Sequence, residues 1–130
     1  MANKILRMGT NLEFEEIEIS NKVVSYEELS NAVGGYIEHV TFNRELAENK
    51  IDVWCDEEFR LKGTKPSVVI VNDNGSFVEW LGGNLVFTAR RGFDGESYGL
   101  TDRQIDIIKK VLDVKIIING NVTARLMKYR

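Results

Sequence analysis

The residues best suited to contacting another molecule lie in one stretch, R-G-F-D-G-E-S-Y-G, from Arg91 to Gly99, preceded by Arg90. Arg90 and Arg91 supply guanidinium groups, Phe93 and Tyr98 supply aromatic faces, and Asp94 a carboxylate. These are the groups that recognise phosphate, a nucleobase or a carboxylate. Three glycines and the lack of any hydrophobic period make the stretch an irregular loop, the kind of segment in which binding residues concentrate. Arg125 and Lys128, near the C-terminus, are positioned to widen the same cationic surface.

Catalytic chemistry is harder to assemble. His39 is the sole histidine and Cys55 the sole cysteine, and with Glu38 they suggest a nucleophile and its base. Neighbouring residues on a strand point to opposite faces, so Glu38 and His39 cannot act together. The expectation is a structural histidine and an ordinary buried cysteine. One histidine and one cysteine are too few for a zinc site, and the acidic segment from Asp52 to Glu58 lacks the spaced ligands and glycine of a calcium loop. Gly34-Gly35 and Gly82-Gly83 do not stand between a strand and a helix, as a phosphate-binding turn requires. The sequence therefore points to a non-enzymatic protein with no metal and no cofactor.

The elements that would carry these residues can be read from periodicity. Lys4 to Met8 and Leu12 to Ile19 form an expected hairpin about Gly9 to Asn11, with a bulge near Glu15 and Glu16 where the alternation breaks. Ser25 opens a helix in capping-box form with Glu28, and Tyr26, Leu29 and Val33 make its apolar stripe. Gly34 and Gly35 stop it, and Tyr36 to Phe42 resumes as a strand. Further strands are expected at Ile51 to Cys55, Phe59 to Lys62, Val68 to Asn72, Phe77 to Leu81 and Leu85 to Arg90. A second capping box, Thr101 with Gln104, begins a helix that buries Ile105, Ile108 and Leu112. Val114 to Ile118, Asn119-Gly120 and Asn121 to Tyr129 close the chain as a β-hairpin, with Arg125, Lys128 and Arg130 on its outer positions. The fold class is α+β: a mostly antiparallel sheet, two helices and a C-terminal β-hairpin.

Composition agrees with one domain over residues 1–130, since a chain of 130 residues with 43% hydrophobic residues can bury a core unaided. No apolar run approaches the roughly 18 residues of a membrane span, and the N-terminus lacks the apolar core of a signal peptide, so a cytoplasmic protein without membrane contact is expected. Charge is uneven. Residues 1–84 hold eight lysines and arginines against fifteen aspartates and glutamates, and residues 85–130 hold nine against five. Either the fold mixes the two halves or it segregates a cationic face.

Three blocks resemble an uncharacterised family, "domain of unknown function 3846", spread through bacterial phages, plasmids and integrative elements. They are V-G-G-Y-I-E from Val33 to Glu38, D-E-E-F-R-L-K-G from Asp56 to Gly63, and the region from Gly83 through D-G-E (Asp94 to Glu96) to L-T-D-R-Q (Leu100 to Gln104). The similarity spans residues 1–112 and leaves 113–130 as an appended hairpin. Where the family tends to continue with Leu-Pro-x-Asn, this chain has Thr64-Lys65-Pro66. The resemblance implies a mobile-element setting in a bacterial host and no reaction. The resulting expectation is a phage or mobile-element protein that inhibits a host defence target by occupying it, with Arg90, Arg91, Phe93, Asp94, Tyr98, Arg125 and Lys128 in contact. The other reading is a nucleic-acid or nucleotide-binding module using the same loop, and the hairpin offers an edge strand for a homodimer.

Overall fold

The computed structural model describes residues 3–129, so Arg130 lies outside the described residues. The elements are β1 (Lys4–Met8), β2 (Phe14–Glu18), α1 (Tyr26–Val33), β3 (Ile37–Val40), α2 (Arg44–Glu48), β4 (Ile51–Asp56), β5 (Pro66–Val71), β6 (Phe77–Gly82), β7 (Leu85–Ala89), α3 (Asp102–Val111), β8 (Lys115–Ile118) and β9 (Asn121–Lys128). The strands build two sheets rather than one, a five-stranded sheet in the order β2-β1-β7-β4-β3 and a four-stranded sheet in the order β6-β5-β9-β8. The first is antiparallel throughout, and in the second only β5 and β9 run parallel. The fold is α+β and mostly strand.

Alternation along each central strand divides the core in two. Leu6, Met8, Val53 and Phe87 face the four-stranded sheet and α3, meeting Ile70, Met127, Ile105 and Ile108. Their neighbours Ile5 and Val86 face the other way, onto Leu29, Ala32 and Val33 of α1. A strand buried on both faces needs apolar residues at consecutive positions, which explains L-V-F in β7.

The same principle corrects the expected bulge. β2 pairs with β1 in unbroken register, Arg7 opposite Glu15 and Leu6 opposite Glu16. Phe14 packs toward the main core and Ile17 toward α1, so the broken alternation records two opposite faces. Both capping boxes form, at Ser25 with Glu28 and at Thr101 with Gln104, and Gly34 ends α1 in the left-handed region at φ 91°. Tyr26, expected in the buried stripe of α1, is exposed, and Ala32 takes its place beside Leu29 and Val33.

Phe59 to Lys62 is a run of turns, not a strand. Asp56 Oδ1 accepts from the backbone N–H of Glu58, and the Lys62 ammonium reaches Asp56 Oδ2, folding the segment onto itself while Phe59 is buried. A third helix, the short α2, joins the two expected ones. Asn43 caps it by accepting from Leu46 N–H at 3.0 Å and donates its side-chain amide to the Lys128 carbonyl at 2.9 Å. The two halves of the chain interleave, because β7 lies between β1 and β4, and β9 lies beside β5. No helix among the described residues is long and apolar enough to cross a membrane.

Candidate functional site

The face of the five-stranded sheet that carries α1 is not covered along its whole length. Past the helix it carries His39 from β3 and Asp52 and Trp54 from β4, with Thr88 from β7 fully buried beside them. Register places His39 opposite Trp54, and Asp52 opposite Thr88. The segment Gly92 to Ser97 overhangs these residues and closes a cleft of about 360 Å³ lined by His39, Asp52, Trp54, Arg90 and the loop. A second pocket of about 260 Å³ lies on the other side of the same residues, with Phe42, Ala47 and Met127 in its wall, so His39, Asp52 and Arg90 form a ridge between two hollows.

Asp52 organises that ridge. Its Oδ1 accepts from Arg90 Nη1 at 2.7 Å and lies 3.2 Å from His39 Nε2. Arg90 Nη2 donates to the Ala47 carbonyl at 2.6 Å, so both terminal nitrogens of the guanidinium are engaged. Burial alone would raise the Asp52 pKa, but the hydrogen bonds from His39 and Arg90 outweigh it and hold the carboxyl below its ordinary value. The His39 ring tilts against Trp54 with centroids 5.1 Å apart. Trp54 Nε1 donates to Thr88 Oγ1 at 2.9 Å, which fixes the indole.

The loop is internally braced. The Asp94 carboxylate accepts from the Tyr98 hydroxyl and from Glu96 N–H, and these hydrogen bonds lower its pKa. The Arg91 guanidinium lies 4.4 Å over the Tyr98 ring. Tyr98 exchanges backbone hydrogen bonds with Ala89, each at 2.8 Å, which anchors the C-terminal end of the loop to β7. Gly92 and Gly95 turn the chain at φ 69° and 76°, conformations that cost other residues strain. At the tip Phe93 is fully exposed.

The expected binding residues therefore divide. Arg90, Arg91, Phe93, Asp94 and Tyr98 come together in one loop, although Arg90 is half-buried and committed to Asp52. Arg125 is not on the outer face of the hairpin. It is 7% exposed, donates to the carbonyls of Leu12 and Leu112, and lies over the Phe14 ring. Its position is set by the parallel pairing of β9 with β5, which turns that face inward. Lys128 lines a separate pocket with Arg44, Glu45 and Glu48.

His39 is half-exposed on the cleft floor, and Glu38 points to the opposite face, 4.0 Å from Cys55 Sγ. Burial, reinforced by the Glu38 and Asp56 carboxylates, pushes the Cys55 thiol up to about 12. Asp52 and Trp54 were missed by reasoning from motifs. Their signal was the pattern I-D-V-W-C-D, where an aspartate interrupts a strand otherwise rich in apolar residues, a position at which aspartate is unfavourable without partners.

Residues 3–113 match the model of the family described as Domain of unknown function (DUF3846), a span that runs from β1 through α3 and ends before β8. No curated protein and no solved structure matches the chain.

Proposed function

The chain belongs to that family, and from this premise we propose that it is a non-enzymatic binding protein which acts by occupying a partner protein through the Arg90 to Tyr98 loop. Phe93 carries the reading. Its ring stands fully exposed at the tip of a loop whose shape is already held by Asp94, Tyr98 and the stacked Arg91. An apolar anchor on a preorganised loop loses little conformational freedom on docking, and such anchors dominate protein interfaces. The mobile-element setting that the resemblance implies supports a host protein, in particular a defence component in the bacterial cytoplasm, as the target. The open edge of β8, with Ile117, Ile118 and Val122 exposed nearby, supports a second copy of the chain as a further contact.

A nucleic-acid or nucleotide ligand is the other reading of this loop. It is less well supported, because the Arg90 guanidinium that would meet a phosphate is held by Asp52 and the Ala47 carbonyl.

The test is capture from bacterial host lysate on the immobilised chain, compared with Phe93→Ala. The expected result is a host protein retained by the wild type and lost at least about tenfold by the variant, whose unfolding midpoint is unchanged. Equal retention by Phe93→Ala would overturn the assignment. Raising salt from about 50 to 200 mM should weaken the complex only modestly, whereas a loss of about 10³-fold would indicate phosphate contacts.

A further inference from the structure

We propose that the cleft beneath the loop receives one basic side chain, a lysine or arginine, from the partner; this rests on the binding-protein reading and names the chemistry it recognises. Three observations carry the inference. The cleft holds about 360 Å³, within the roughly 300–1,000 Å³ of ligand sites and at the small end, suited to one extended side chain. Its charged lining is unbalanced: three acidic residues, Asp52, Asp94 and Glu96, stand against one arginine, Arg90, and the sum stays negative whether or not His39 carries a proton. Its large aromatic residues are Trp54 on the floor and, at the rim of the overhang, Phe93 with its ring exposed, side chains of the kind that attract cations.

The carboxylates are not equivalent. Asp52 is neutralised by Arg90, and Asp94 is occupied by the Tyr98 hydroxyl and the Glu96 N–H. Glu96 makes no hydrogen bond or ion pair from its carboxylate among the described residues, and it lines the cleft beside Phe93. It is the group left to pair with an entering cation. Arg91 does not compete for it within the cleft, since its guanidinium lies over Tyr98 and is not part of the cleft lining. A phosphate or carboxylate entering the same space would meet net negative charge and no uncommitted guanidinium. The occupant complementary in charge and in aromatic contact is an ammonium or guanidinium on an apolar stem.

The experiment is an amide-resolved NMR titration of the full chain, following the Trp54 indole and the Gly92 to Ser97 backbone. The probes are the N-acetyl, N-methylamide derivatives of lysine, arginine and norleucine, together with inorganic phosphate. Lysine and arginine should bind in the millimolar range with shifts confined to the cleft, and norleucine, matched in stem but uncharged, at least about threefold more weakly. Glu96→Gln, an exposed and conservative change, should reduce lysine binding by a similar factor. Norleucine binding as well as lysine, an unchanged affinity in Glu96→Gln, or tighter binding of phosphate would overturn the proposal. If the titration fails while Phe93-dependent capture persists, the basic side chain is wrong and the binding reading stands. If capture fails while the titration succeeds, the cleft stands and the partner-protein reading falls.

Discussion

Arg90 Nη1 donates to Asp52 Oδ1 at 2.7 Å, and this pair converts the most obvious anion-binding residue of the chain into a structural support for its loop. Arg90 follows β7 and precedes the Gly92 to Ser97 overhang, so tying it to β4 and to the Ala47 carbonyl sets where the loop departs from the sheet. Arg90→Ala would leave the Asp52 carboxylate with His39 as its remaining side-chain partner and would leave the Ala47 carbonyl with only its backbone donors, among them Lys50 N–H at 3.1 Å. A loss of about 1–2 kcal/mol in urea unfolding is expected, tempered by the partial exposure of the arginine. Arg91→Ala should change stability by no more than about 0.5 kcal/mol, because its stacking on Tyr98 is at the surface. Equal effects from the two substitutions would show that the ridge does not depend on the Asp52 pair.

Asp52 also predicts a pH dependence. Its pKa is lowered in the folded protein, so its stabilisation is complete above the unfolded value of about 3.9 and disappears as pH falls through the folded value. Below that point both states are protonated and the carboxylate contributes nothing. At pH 7 the wild type should exceed Asp52→Asn in unfolding free energy by about 1–2 kcal/mol. Toward pH 3 the gap should narrow. A gap constant across that range would mean that the Asp52 charge is not what binds β4 to Arg90.

What the sequence carried and what it did not follow one physical division. Local signals were legible: Ser25 with Glu28 and Thr101 with Gln104 form capping boxes, and Gly34 terminates α1, because each involves groups within a turn of one another. The clustering of Phe93, Asp94 and Tyr98 was legible for the same reason. Long-range relationships were not. Asp52 and Arg90 are 38 residues apart, and only the pairing of β4 with β7 brings them together. The separation into two sheets, the inward turn of Arg125 and the opposite facing of Phe14 and Ile17 all depend on which strands become neighbours, which hydrophobic alternation alone does not specify.

Arg125 is expected to matter for stability and not for binding. Its guanidinium donates to the Leu12 carbonyl at 2.9 Å and to the Leu112 carbonyl at 2.8 Å, joining the turn after β1 to the end of α3. Arg125→Ala should cost about 2–4 kcal/mol, since both carbonyls lose a partner and the Phe14 ring loses its cover. Arg125→Lys should recover only part of this, because a single ammonium lacks the fork that reaches both acceptors. A variant that unfolds like the wild type but loses the partner would return Arg125 to the binding surface.

Ending the chain after Asp113 is the most demanding test of how this fold is held together. The family match stops at residue 113, yet β9 pairs with β5 from Val68 opposite Arg125 to Val71 opposite Lys128. Met127 belongs to the main hydrophobic cluster, and the Lys128 carbonyl accepts from the Asn43 cap of α2. Removing the hairpin would reduce the second sheet to β5 and β6, a two-stranded ribbon that is marginal without further support. It would also expose Val68 and Ile70 along an unpaired edge and leave the Leu112 carbonyl without Arg125. The truncated chain should therefore lose cooperative urea unfolding and bind a hydrophobic dye while keeping part of its far-ultraviolet signal. A sharp two-state transition with no dye binding would show that residues 3–113 hold their own core, and that the contacts made by β9 follow from folding instead of enabling it.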